Sequence, residues 1–123
     1  MRNTRLGLIQ FAASAAKNEN LIRAEALLRQ AAAAGAQLVC LQELFTTRYF
    51  PLSPTDSSYF DLAEPIDGPA VQRIARLARE LGIYVLAPIY EEYGVGRFFN
   101  SAVLLADDGR AVGVVRKNHI PRV

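Results

Sequence analysis

Two stretches of helix-like periodicity are each closed by a glycine and each followed at once by a short apolar run, and this repeat narrows the possible folds more than any other feature. In the first, Leu21, Ile22, Ala24, Leu27, Leu28 and Ala31 fall along one side of a helix, with Asn18 or Asn20 as its cap and Gly35 as its stop. In the second, Pro69 suits a first helical position, Val71, Ile74, Leu77, Ala78 and Leu81 form the stripe, and Gly82 ends it. The runs Gln37 to Leu41 and Ile83 to Ile89 have the length and continuous apolar character of buried strands, and Arg5 to Phe11, ahead of the first helix, reads the same way. Two more strands, Phe98 to Ala106 and Ala111 to Arg116, follow the turn segments Gly94-Val95-Gly96 and Asp107-Asp108-Gly109. The order is β-α-β-loop-α-β-β-β. It predicts an α/β fold with a mixed, mostly parallel sheet and two helices on one face. Runs such as Val103-Leu104-Leu105 look buried on both sides, so the second sheet face needs cover that the helices do not provide.

Several function classes are disfavoured. Fourteen basic and twelve acidic residues leave a net charge of +2, and no Lys/Arg block tracks a phosphate backbone, so nucleic acid is not an expected partner. Arg73, Arg76 and Arg79 recur every third residue on a helix and read as a solvated face. No apolar stretch approaches the roughly 20 residues of a membrane span, so no membrane partner is expected. Arg2 and Arg5 before Leu6 to Ala16 faintly imitate a secretory signal, yet Gln10 interrupts the run and a helix follows directly, as it would after a first strand. The single cysteine, Cys40, excludes an internal disulfide, fits a reducing cytoplasm, and is expected to be a small buried hydrophobe.

Between Leu44 and Pro69 periodicity gives way to Thr, Ser, Pro and Asp interleaved with Tyr49, Phe50, Tyr59 and Phe60. Loops this long are uncommon unless they carry function, and this one leaves the carboxyl end of a strand, where open α/β sheets place their ligands. Glu43 stands at that strand's mouth, where desolvation is expected to raise its pKa toward that of a usable general base. Lys117 ends the last strand. Position alone leaves each of them open to a plain reading as a solvated charge.

Leu41-Gln42-Glu43-Leu44-Phe45-Thr46-Thr47-Arg48-Tyr49-Phe50-Pro51, then Phe99-Asn100-Ser101-Ala102-Val103 with Asp108-Gly109, then Arg116-Lys117-Asn118-His119-Ile120-Pro121, resemble the successive signatures of the nitrilase superfamily of carbon–nitrogen hydrolases. The resemblance implies a four-layer α-β-β-α sandwich, of which residues 1–123 would form the amino-terminal part of a single domain. It implies a Glu-Lys-Cys triad with Glu43 as general base, Lys117 as the holder of the oxyanion and His119 in support. The nucleophilic cysteine is expected beyond residue 123, and the segment alone is expected to be inactive. The aromatic loop resembles that of the N-carbamoylputrescine amidase and β-ureidopropionase members, with Tyr49 and Phe50 as substrate-binding residues for a small amide or N-carbamoyl compound. No cofactor or metal is implied, and the full-length form is expected to be a homo-oligomer. The sequence departs from the family at Gln42, where proline is usual, and at Arg122-Val123. A non-catalytic interaction module, pairing through the uncovered sheet face, is the alternative reading.

Overall fold

The structure, a computed structural model, describes residues 3–51 and 57–120, so Arg122-Val123 and the middle of the aromatic loop lie outside the described residues. Its elements are β1 (Leu6–Leu8), α1 (Lys17–Ala33), β2 (Leu38–Cys40), a 3₁₀ turn (Ser57–Leu62), α2 (Pro69–Leu81), β3 (Tyr84–Glu92), β4 (Phe98–Leu105) and β5 (Ala111–Arg116). The strands lie side by side in chain order. β1, β2 and β3 pair in parallel and β3, β4 and β5 pair antiparallel, so the mixed sheet divides its pairings equally between the two kinds.

Both helices end as their glycines suggest. Gly82 takes the left-handed conformation at φ 62, and Gly35 follows α1 at φ 85, a region that costs a side-chain-bearing residue strain. The start of α1 corrects the expected cap. Ala16 holds the N-cap position with no side-chain cap, and Asn20 is buried inside the first turn. There its Oδ1 accepts from the Ser14 N–H while its Nδ2 donates to the carbonyls of Ser14 and Thr46. The amide closes the β1–α1 connection and ties down the segment after β2. Asn18 instead accepts a hydrogen bond from Arg73 on α2.

The core lies between the helices and one face of the sheet. Leu21, Ala24 and Leu28 of α1 and Val71, Ile74, Leu77 and Ala78 of α2 pack with Val39, Val85, Ala87, Ile89, Val103 and Leu105. The opposite face is open: Leu6 is 60% and Leu8 is 84% exposed, and Tyr84 is exposed beside them. β1 is therefore shorter and far less buried than its composition suggests, because its outward side chains meet no second layer. Cys40 also corrects the expectation. Strand alternation turns Val39 to the helices and Cys40 to the open face, where it is only half-buried.

The β4–β5 turn is held tightly against α2. Gly109 has φ 84, and a Cβ there would lie 2.7 Å from the Ala75 carbonyl oxygen. Gly109→Ala must therefore both strain the backbone and displace the turn from the helix. It is expected to cost about 1–3 kcal/mol, read as a lower urea midpoint at unchanged slope.

Candidate active site

Glu43 is carried by a turn that buried neighbours fix in place. Leu44, Phe45, Thr46 and Thr47 are all buried, and the Thr47 N–H donates to the Leu44 carbonyl at 2.9 Å. Leu44 adopts φ 52, a left-handed conformation uncommon for a residue with a side chain. This kink directs the chain away from β2, and the Gln42 side chain accepts a hydrogen bond from the Phe11 N–H at 2.5 Å, joining the ends of the first two strands.

Lys117 arrives from the other side. Its N–H donates to the Asn100 carbonyl at 2.8 Å, continuing the β4–β5 ladder one step past Arg116. Since Ser101 and Val103 point to the helices, alternation places Asn100 and Lys117 on the open face. There the Lys117 ammonium donates to Glu43 Oε1 at 2.8 Å, joining residues 74 apart in sequence. The Asn100 amide donates to the same oxygen at 2.6 Å. Asn100 lies within a motif that sequence reading singled out, but its contact with Glu43 depends on strand register and was not legible there.

The lysine beside it holds the Glu43 carboxyl below the usual carboxylate range; burial opposes this and the Asn100 hydrogen bond reinforces it. Lys117 is raised in return by the Glu43 hydrogen bond. The expected upward shift of Glu43 by desolvation is thus reversed, because a direct ion pair outweighs burial at a side chain still 41% exposed. A carboxyl depressed in the folded state contributes stability above the unfolded pKa, and that stability is lost as pH falls through the folded value. Lys117→Ala is expected to bring the Glu43 titration, followed by carboxyl-carbon NMR, back up toward the ordinary range.

Beside this pair lies a cavity of about 480 Å³ lined by Leu44, Phe50, Tyr59, Tyr90, Phe98 and Asn100, among others. Phe50 stacks on Tyr59 at 4.9 Å between ring centres and meets Tyr90 at the same distance. Burial pushes the Tyr90 phenol up. Of the two aromatic residues assigned to substrate, Phe50 lines this cavity, whereas Tyr49 is exposed and does not. His119 is exposed and makes no hydrogen bond or ion pair among the described residues.

An apolar cavity with a lysine, a carboxylate and an amide converging at its edge is the kind of site that binds and polarises a small carbonyl compound. The family model for carbon-nitrogen hydrolases matches residues 5–123, and the chain belongs to that family. It is 37% identical to an omega-amidase NIT2 of Xenopus tropicalis over 98% of this chain and 42% of that protein. It is 36% identical to an N-carbamoylputrescine amidase of Arabidopsis thaliana over 92% of this chain and 38% of that one. A crystal structure of a carbon-nitrogen hydrolase from Helicobacter pylori G27 superposes with a TM-score of 0.88 at 30% identity, covering 96% of this chain and 40% of its own. The chain spans about two-fifths of the length of the relatives it matches. Its fold is accordingly that of the nitrilase superfamily, and no helix among the described residues is long and apolar enough to cross a membrane.

Proposed function

We propose that this segment is the amino-terminal part of a hydrolase that cleaves the carbon–nitrogen bond of a small amide or N-carbamoyl compound through a Glu-Lys-Cys triad, contributing Glu43 and Lys117. The observation that carries this reading is the 2.8 Å contact between the two side chains, made at strand ends beside an apolar cavity. Cys40 does not serve as the nucleophile: its thiol donates to the Leu41 carbonyl, at 3.4 Å, and not to Glu43. The nucleophilic cysteine comes from sequence following residue 123.

In the reaction, Glu43 takes the thiol proton and the thiolate attacks the carbonyl carbon, placing negative charge on the carbonyl oxygen. The Lys117 ammonium stabilises that charge. The C–N bond then breaks, the leaving amine takes the proton from Glu43, and Glu43 next deprotonates the water that cleaves the thioester. The pairing with Lys117 keeps Glu43 ionised at neutral pH. As the ammonium turns toward the oxyanion, the carboxylate loses its partner and gains basicity when the proton must move. Asn100 keeps Oε1 aimed throughout. Phe50, which lines the cavity, contributes to holding the substrate.

Two relatives suggest the substrates to try, one named for omega-amidase activity and the other for N-carbamoylputrescine. The test is ammonia release from a linear monoamide and from an N-carbamoyl amine. It compares residues 1–123 with a polypeptide that continues through the downstream cysteine. The longer form is expected to turn over at least one substrate and the short form neither. Equal turnover by both, or none by the longer form, overturns the reading. The open face bearing Leu6, Leu8 and Tyr84 supports the expectation that further protein covers this sheet, from the same polypeptide or from a second copy in a homo-oligomer.

A further inference from the structure

A charged group lies deep in the sheet with no part in the chemistry above. Glu91 on β3 is completely buried, yet it carries a carboxylate. Burying such a group is costly unless it is paired and hydrogen-bonded, and here both oxygens have donors. Arg116 grips it with two parallel bonds, Nε to Oε2 at 2.8 Å and Nη2 to Oε1 at 2.6 Å, and the Ser101 hydroxyl donates to Oε2. The guanidinium also lies against two rings that meet edge to face, 4.5 Å from the Tyr93 ring centre and 4.8 Å from that of Phe99, with Arg97 on Tyr93 as well.

The clamp acts on the strand that delivers Lys117. β5 is an edge strand whose side chains are almost all exposed, including Val112, Val114 and Val115. Apart from its ladder to β4, β5 is anchored by the Arg116 side chain, the one strand position that is not exposed among the described residues. Arg116 and Lys117 are adjacent, so fixing the first on the helix side fixes the exit of the second on the open side. The Glu91 end of β3 is held in turn, since β3 exchanges backbone bonds with Glu64 through Tyr90 and Glu92. Glu64 also accepts from the Ala70 N–H at the start of α2 and pairs with Lys17 of α1.

We propose that the Glu91–Arg116–Ser101 cluster is the positioning device for Lys117, setting where its ammonium meets Glu43; this rests on the reading of Lys117 as the oxyanion holder. A bidentate guanidinium packed on two rings defines direction as well as charge, which a lysine in its place would not. Glu91, Arg116 and Ser101 are positioning residues, since none of them lines the cavity.

The test uses Glu91→Gln, Arg116→Lys and the milder Ser101→Ala, with Ile74→Val in the core as a control that weakens the fold away from the sheet end. The first readout is NMR titration of the Lys117 ammonium and the Glu43 carboxyl in each folded protein, which needs no turnover. The cluster variants are expected to move both titrations back toward those of the unpaired groups, with Ser101→Ala smallest, while Ile74→Val leaves them in place. In the longer polypeptide, kcat is expected to fall about tenfold or more in Glu91→Gln and Arg116→Lys, with KM within about twofold. Unchanged Lys117 and Glu43 titrations in the cluster variants, or equal changes in the control, overturn the proposal. If the titrations move but no polypeptide releases ammonia, the clamp stands and the hydrolase reading falls.

Discussion

Glu43→Gln, in a polypeptide that carries the downstream cysteine, is expected to lower kcat by about 10²- to 10⁴-fold, the range a positioned general base contributes. The substitution keeps the shape of the side chain and can keep an oxygen for the Asn100 amide, which lies 2.6 Å from Oε1. It removes the ability to take a proton and the charge that Lys117 pairs with at 2.8 Å. Little stability should be lost, because both side chains are about two-fifths exposed and exposed ion pairs contribute little. A folded variant with a large loss in kcat and a small change in KM is therefore the expected signature. The wild-type rate should fall on its acid side as Glu43 protonates, at a pH below that typical of carboxylates in the free enzyme, since Lys117 holds this carboxyl down. A fully active Glu43→Gln protein would remove the residue from the mechanism.

The second large effect is on folding. Phe45, two residues past Glu43, is completely buried and belongs to the core between helices and sheet. Phe45→Ala is expected to cost about 3–5 kcal/mol, the usual loss for truncating a buried phenylalanine. That is a large fraction of the roughly 5–15 kcal/mol that keeps a domain folded. The consequence reaches the site, because Phe45 and Leu44 anchor the turn on which Glu43 stands. Urea unfolding should show the lower midpoint. A loss under about 1 kcal/mol would mean that the turn is held by something other than this side chain.

What could be read from the sequence was what local chemistry decides. Gly35 and Gly82 stop helices because of their own backbone freedom, Pro69 begins one because it needs no N–H donor, and β5 runs over the residues its turn signals mark. The pairing of Glu43 with Lys117 was expected through the family resemblance, since position at strand ends alone left each open to a reading as a solvated charge. The features that escaped depend on a distant partner. Asn20 has the composition of a helix cap but is drawn inward by Ser14 and Thr46. Cys40 looks buried in an apolar run, yet alternation turns it to the open face. The direction of the Glu43 pKa shift depended on an ion pair whose geometry no spacing reveals. Glu91 is one of two adjacent acids, and nothing in its spacing marks Arg116, which the sheet brings to it.

The central claim is that Glu43 and Lys117 serve a single reacting centre, and it is tested most directly by a double-mutant cycle on turnover in the longer polypeptide. Glu43→Gln, Lys117→Ala and the double variant are compared with the parent on one amide or N-carbamoyl substrate. Residues acting as a unit are strongly non-additive, so each single variant is expected to lose most of the activity and the double variant to be little worse than either. Losses that simply multiply, or a Lys117→Ala protein that retains near-parental kcat, would contradict a shared centre.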